Sequence, residues 1–159
     1  AWNIHYPGAD GEFGKTEINL VDEETNPIGL DRSSPFGADD IVTLNQLHLP
    51  VNKQVMIHLS SKDVIHSFGI PEMRIKQDAI PGMTIPFFFT PTMTSTEFLN
   101  QIKGTARDNM GYEIACAQLC GNSHYTMKGY VTVDTEDQFN TWLAKQSEYL
   151  EEDDEEEDW

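Results

Sequence analysis

The sequence is short of cysteine, of basic residues and of long apolar runs. Two cysteines in 159 residues exclude a fold held by several disulfides, but they leave open one disulfide, a metal site or a redox pair. No apolar run approaches the length of a membrane span. The first residues lack an initiator methionine and the basic and apolar regions of a signal peptide. We therefore expect a processed or cut piece, with any membrane anchor absent from this chain and preceding Ala1.

Basic residues are outnumbered, since Lys and Arg total 10 against 27 Asp and Glu, for a net charge of −17. Residues 151–158 carry eight of the negative charges in a row, which leaves −9 on the rest of the chain. Such a run predicts an acidic, disordered tail over 151–159. An acidic folded part disfavours nucleic acid as a partner and favours basic proteins.

Turn-forming residues are dense in residues 1–40, which predicts an N-terminal segment followed by an extended loop. Across 41–133 apolar and polar residues alternate in short segments, a pattern typical of an all-β sandwich or barrel. The chain is long enough for one domain with a proper core. The predicted strands are 41–49, 53–60, 64–70, 84–90, 111–115 and 127–133, with a loop over 71–82.

Two helices are also predicted. Ser95 is expected to cap a short helix within 93–102. Asp134 or Thr135 is expected to cap an amphipathic C-terminal helix over 134–150.

Both cysteines lie in one twelve-residue run that also holds a histidine and a methionine, with the spacing C-x3-C-x3-H-x2-M. Thiolate, imidazole and thioether groups favour copper over magnesium, calcium or manganese. A disulfide within so small a loop would add little stability, and the histidine and methionine that follow argue further against it. The run reads Cys116-Ala-Gln-Leu-Cys120-Gly-Asn-Ser-His124-Tyr-Thr-Met127.

Two neighbouring thiolates can bridge two metal ions. The motif alone then has too few ligands to complete the coordination of both ions. His66, at the end of a predicted strand, is the best candidate for another imidazole. His5 lies in a ragged N-terminus, and His48 and His58 occupy polar positions of predicted strands, where surface histidines are common. A backbone carbonyl between the cysteines, that of Gln118, could supply a further ligand.

Further segments accompany this motif, and together they resemble the soluble domain of cytochrome c oxidase subunit II. The resemblance covers roughly residues 41–92 and 111–133. Apart from the motif, the segments that carry it are Asp63-Val-Ile-His-Ser-Phe68, Lys76-Gln-Asp-Ala-Ile-Pro-Gly82 and, less specifically, Leu47-His-Leu-Pro-Val51.

The resemblance implies a cupredoxin-like Greek-key barrel or sandwich that holds a dinuclear copper A centre with two copper ions. In that centre the two thiolates bridge the two copper ions, and each ion also binds one imidazole. The thioether is a weak further ligand to one copper ion, and the carbonyl is the further ligand to the other. Carried over residue by residue, the ligands are Cys116, Cys120, His66, His124, Met127 and Gln118.

Two departures from the family pattern bear on these expectations. Many members have a glutamate between the cysteines that helps to hold magnesium, whereas this chain has the neutral Gln118, so magnesium is not predicted. The family also uses a tryptophan near its membrane region as the first acceptor of electrons, and Trp2 is the candidate for that role.

The resemblance further implies that the domain accepts electrons from cytochrome c and passes them to haem in the catalytic subunit I of a respiratory oxidase. It would lie on the periplasmic face of the membrane, or on the intermembrane-space side in mitochondria. No residues are arranged as a general acid, general base or nucleophile, so the chain is expected to have no catalytic site of its own.

Three other interpretations stay open. A mononuclear cupredoxin uses a single cysteine, which would leave Cys116 superfluous. The copper A domain of nitrous oxide reductase carries the same cofactor, although 78–82 and 121–124 favour the oxidase. A copper chaperone would favour exposed methionine and histidine ligands over a thiolate pair.

Overall fold

The computed structural model describes residues 1–122 and 124–156, with side chains described as far as 148. The chain divides into two compact units: one contains residues 1–2 and 45–139, the other residues 3–44 and 140–159. Within the described residues the strands are β1 Asn3–Tyr6, β2 Ile41–Leu44, β3 Gln46–Pro50, β4 Val55–Leu59, β5 His66–Ile70, β6 Ile75–Ala79, β7 Ile85–Phe89, β8 Tyr112–Cys116 and β9 Lys128–Asp134, and the α-helices are α1 Ser95–Ile102 and α2 Glu136–Glu156.

The larger unit is built on a five-stranded sheet in the order β3-β9-β8-β5-β6, accompanied by the antiparallel pair β4-β7. β3 and β9 run parallel, and the other neighbours in the sheet run antiparallel. The strands form because apolar residues alternate along them, as in β8, where Tyr112, Ile114 and Cys116 are buried and the residues between them are half-buried. The all-β prediction is confirmed.

The core of this unit is formed by large apolar side chains of the central strands. Ile70 of β5, Ile114 of β8 and Val133 of β9 are almost completely buried. β5 is buried along four consecutive residues, 67–70, and because successive side chains of a strand point to opposite faces, both faces of β5 are covered. The first residue of β5 and the last residue of β8 thus project from rigid, central parts of the sheet.

The segment 41–49, predicted as one strand, is broken at Asn45. That residue adopts a left-handed backbone conformation with φ of 56°, which asparagine tolerates better than most residues. β2 therefore pairs with β1, whereas β3 pairs with β9. The break separates the strands of the two units.

The predicted loop 71–82 contains a strand that the sequence pattern did not reveal. β6 pairs with β5 along its whole length, from His66 opposite Ala79 to Ile70 opposite Ile75. Its central residues are polar, which is tolerated because β6 lies at the edge of the sheet.

Both predicted helices are present, with adjusted ends. Thr94, not Ser95, caps α1, because its hydroxyl accepts from the N–H of Glu97 while the Glu97 carboxylate accepts from the N–H of Thr94. Thr135 precedes α2 and exchanges equivalent bonds with Gln138.

The C-terminal helix was predicted over 134–150, followed by a disordered tail over 151–159. α2 continues through Glu156, and glutamate is a good helix former when its charges are tolerated. Residues 157–159 lie outside the described part of the chain. None of the described helices is both long enough and apolar enough to cross a membrane.

The smaller unit contains the antiparallel pair β1-β2 and the turn-rich segment between them. That segment holds one short 3₁₀ turn, Ile18–Leu20, and isolated bridges. The fully buried carboxylate of Asp40 accepts hydrogen bonds from the N–H groups of Gly8 and Gly14 and contacts Nε2 of His5. His5 was expected in a ragged terminus, but it lies in β1.

Replacing Ile114 by alanine should lower the free energy of unfolding by about 2 to 5 kcal/mol, because the side chain is fully buried and its removal leaves a cavity. Denaturant unfolding followed by circular dichroism measures the change. Ile18→Ala is the control, since Ile18 is 87% exposed and its replacement should change stability by less than about 0.5 kcal/mol. Equal effects of the two substitutions would contradict this account of the core.

Candidate metal centre

The strand pairing of β5 with β8 brings together side chains that are distant in sequence. Phe68 pairs with Cys116, and beyond that pair the N–H of Ala117 donates to the carbonyl of Ser67 at 2.9 Å. His66 begins β5 and Cys116 ends β8, so both lie at the same end of the sheet. His66 Nδ1 and Cys116 Sγ are 3.8 Å apart.

The loop between β8 and β9 folds back so that its remaining donors reach the same place. Sγ of Cys120 lies 3.6 Å from Sγ of Cys116. Nδ1 of His124 lies 3.4 Å from Cys120 Sγ, and Sδ of Met127 lies 3.9 Å from it. The carbonyl oxygen of Gln118 is 3.1 Å from Cys116 Sγ. All six residues predicted from the sequence therefore lie in one cluster.

Backbone hydrogen bonds hold this loop in shape. Gly121 adopts a positive φ of 121°, which side-chain-bearing residues rarely adopt. A 3₁₀ turn follows over His124–Thr126, closed by bonds from His124 N–H to the Gly121 carbonyl and from Met127 N–H to the His124 carbonyl. The N–H of Cys116 donates to the carbonyl of Met127 at 3.3 Å, which closes the loop at its base.

The donor set fits a soft or borderline metal such as copper. Ligand atoms of His66, Cys116 and Cys120 lie within 4.8 Å of one another, and both cysteines are free thiols. Thiolate, imidazole and thioether donors together are characteristic of copper sites in proteins. The alternative of a disulfide between Cys116 and Cys120 is not the state of this structure.

The rival histidines have other surroundings. Nδ1 of His48 bonds with the carboxylate of Asp134 at 2.9 Å, which ties β3 to the end of β9. His58 is exposed on β4, and His5 contacts Asp40. Of the histidines considered as the additional imidazole, His66 is the one beside the cysteines.

Electrostatic effects separate the two thiols. Burial would raise the pKa of Cys116, but hydrogen bonds with the backbone of Ser67 and Gln118 and with His66 and Cys120 outweigh it and lower that pKa to about 6. Burial and the neighbouring Cys116 raise the pKa of Cys120. At neutral pH the pair therefore holds one thiolate without any metal.

His66 makes a second contact that the sequence reasoning did not identify. Its Nε2 lies 2.8 Å from a carboxylate oxygen of Asp63. Burial would lower the pKa of His66, but Asp63 and Cys116 raise it overall, and the bond to His66 lowers the pKa of Asp63. An aspartate three residues before a candidate ligand was the available signal for this pair.

Trp2, considered as the first acceptor of electrons, is 8% exposed and packs edge-on against His66 and Phe68, with ring centroids 6.4 and 5.5 Å apart. It lies beside the cluster but has little surface of its own. Leu119 and Tyr125, which neighbour Cys120 and His124 in sequence, are each 78% exposed.

Comparison with known proteins identifies relatives of the whole region. Residues 34–134 match the family model described as cytochrome c oxidase subunit II, periplasmic domain. The chain is 38% identical over 149 residues to the alternative cytochrome c oxidase subunit 2 of Bradyrhizobium diazoefficiens, covering 93% of the chain and 48% of that protein. It is 42% identical over 104 residues to cytochrome c oxidase subunit 2 of Thermostichus vulcanus, covering 65% of the chain and 27% of that protein. The chain thus spans half or less of the length of these two relatives.

Among solved structures, the periplasmic domain of subunit II of cytochrome oxidase from Bradyrhizobium japonicum shares the fold. The TM-score is 0.54 at 24% sequence identity, and the superposition covers 82% of this chain and 76% of that one. The prediction of a cupredoxin-like β fold is confirmed.

In the reduced, metal-free protein the thiol pair should ionise in two steps, the first near pH 6 and the second above the ordinary cysteine range. Below the first step Cys116 is protonated, so copper binding should weaken as the pH falls through about 6. Thiolate absorbance in the far ultraviolet measures both steps, and Cys116→Ser should remove the lower one. A single joint ionisation near the ordinary cysteine value would contradict this assignment.

Proposed function

Because the chain belongs to the cytochrome c oxidase subunit II family as its periplasmic domain, we propose that it is the electron-transfer domain of a haem-copper oxidase. It holds a dinuclear copper A centre, accepts electrons from cytochrome c and passes them to haem in the catalytic subunit I. The observation that carries the proposal is the clustering of two free thiols, two imidazoles, a thioether and a carbonyl around one point.

The residues of the chain have distinct roles in this proposal. Cys116 and Cys120 bridge the metals, His66 and His124 each bind one, and Met127 and the Gln118 carbonyl complete the two sets. A thiolate-bridged copper pair supplies one-electron redox chemistry with little change in bond lengths. The sheet contributes rigidity, because the cluster is attached to the ends of β5 and β8 and to the start of β9.

The second cysteine argues against a mononuclear cupredoxin. A site with one copper would need a single thiolate, whereas Cys116 and Cys120 are 3.6 Å apart and both reach imidazole nitrogens. The family match favours the oxidase over nitrous oxide reductase. The buried Cys116 disfavours a chaperone with exposed ligands.

The surface properties support a basic protein as electron donor. The chain carries a net charge of −17, which attracts a cationic partner over long range. The exposed Leu119 and Tyr125, in the same loop as Cys120 and His124, would provide apolar contact area. Charge for steering and a small apolar surface for contact suit weak, rapid docking of cytochrome c.

Reconstitution with copper tests the proposal. The reduced protein should take up two copper ions per chain, turn purple, and give an EPR spectrum in which one unpaired electron is shared by two copper nuclei. A blue protein with one copper per chain would contradict the proposal and favour a mononuclear site.

Replacing His66 by alanine should alter the visible and EPR spectra of the copper-loaded protein, because one metal loses its imidazole. His58→Ala is the matched control, since His58 is an exposed histidine of β4, and its spectra should equal those of the unmodified protein. If the spectra change when His58 is replaced but not when His66 is replaced, His66 is not the additional imidazole ligand.

Electron transfer from reduced cytochrome c should slow about tenfold or more as ionic strength rises to the physiological range, because salt screens attraction to the acidic chain. Stopped-flow mixing with the copper-loaded protein measures the rate. An uncharged reductant serves as control and should show little dependence on salt. A rate with cytochrome c that is independent of salt would contradict electrostatic docking.

A further inference from the structure

Both ring nitrogens of His66 are engaged in the structure, each by a different group. Nε2 lies 2.8 Å from Asp63 Oδ1, and Nδ1 faces Cys116 Sγ at 3.8 Å. An ionised carboxylate can only accept hydrogen bonds, so Nε2 carries the proton in the contact with Asp63. Nδ1 is then the ring nitrogen that faces the thiol cluster, and it can bind a metal once it carries no proton.

Asp63 is itself held in place by its own turn. Its Oδ1 accepts a hydrogen bond from the N–H of Val64 at 2.7 Å, and Oγ of Ser61 lies 3.4 Å from it. The hydroxyl of Ser61 donates its hydrogen to the carbonyl of Val64, which closes the turn around Asp63. Although the Asp63 side chain is 69% exposed, these bonds fix the oxygen that meets His66.

The His66 ring also contacts a buried aromatic side chain, that of Trp2. Trp2 packs edge-on against His66, and it also packs edge-on against Phe68 in the core. The imidazole is therefore held between a fixed carboxylate and a fixed indole before any metal binds.

We propose that Asp63 is a positioning residue for the copper centre, because its carboxylate holds the His66 ring with Nε2–H turned to Asp63 and Nδ1 turned to Cys116. The inference rests on the proposed function and adds a residue to it. Ligating histidines commonly donate their second N–H to a carboxylate, and removal of such a partner typically weakens metal binding about 10- to 100-fold. The hydrogen bond to the carboxylate also makes the imidazole a stronger electron-pair donor to the metal.

Three variants separate positioning from simple loss of charge. Asp63→Ala removes both the charge and the acceptor. Asp63→Asn removes the charge and keeps a weaker acceptor oxygen. Asp78→Asn is the matched control, because it removes one charge from the neighbouring strand β6, where Asp78 bonds with Lys76 at 3.3 Å.

Three quantities are measured for each variant. They are the copper affinity by chelator competition, the EPR spectrum of the copper-loaded protein, and the NMR signal of the imidazole Nε2–H of His66 in the metal-free protein. We expect Asp63→Ala to lose about tenfold or more in copper affinity, to alter the EPR spectrum, and to lose the Nε2–H signal to exchange with water. Asp63→Asn should show a smaller loss, and Asp78→Asn should resemble the unmodified protein in all three.

Two results would overturn the inference: Asp63→Ala behaving as the unmodified protein, or Asp78→Asn causing an equal loss. If Asp63→Ala does not fold, the comparison of Asp63→Asn with Asp78→Asn decides, since equal effects of these two charge removals would also overturn it. Failure of the unmodified protein to bind two coppers would instead overturn the proposed function, and with it this inference. The two failures are distinguishable, because failure of the inference about Asp63 leaves the unmodified protein with its dinuclear copper spectrum, whereas failure of the proposed function does not.

Discussion

The pairing of β5 with β8 is the constraint on which the candidate centre depends. His66 and Cys116 are 50 residues apart in sequence, and they meet because Phe68 pairs with Cys116 and Ala117 bonds to Ser67. A register shift of one residue would turn the side chains of one strand to the opposite face of the sheet and separate imidazole from thiol. The buried Ile70 and Ile114 on the same strands make such a shift costly.

With that pairing in place, the loop from Cys116 to Met127 has little freedom left. Its ends are joined by the bond between Cys116 and Met127, and its turn is set by Gly121 and the 3₁₀ turn. Preformed geometry suits electron transfer, because a site that changes shape little on gaining an electron exchanges it quickly. The same geometry lowers the pKa of Cys116, so a thiolate is available at neutral pH.

Much of the site could be predicted from the sequence because most of its donors are soft and closely spaced, and the run from Cys116 to Met127 holds five of the six residues. His66 was the best candidate for the additional imidazole because it lies at the end of a predicted strand, and the resemblance to a family supported it. The sequence alone could not show that this strand pairs with β8. Asp63 and the strand β6 were missed for opposite reasons. Asp63 is an ordinary surface carboxylate until its bond with His66 is seen, and β6 is a polar edge strand without the alternation that indicates a buried face. The break at Asn45 depends on a single left-handed residue, which the apolar pattern of 41–49 concealed.

Above all, we propose that the chain binds two copper ions within a preformed set of ligands. The most direct test is a crystal structure of the copper-loaded protein, with anomalous scattering recorded at the copper edge. The account predicts two copper peaks bridged by Cys116 and Cys120, with His66 and His124 as the imidazole ligands and the loop backbone unchanged. A single peak, or copper bound at His48 and Asp134 beside a Cys116–Cys120 disulfide, would contradict it.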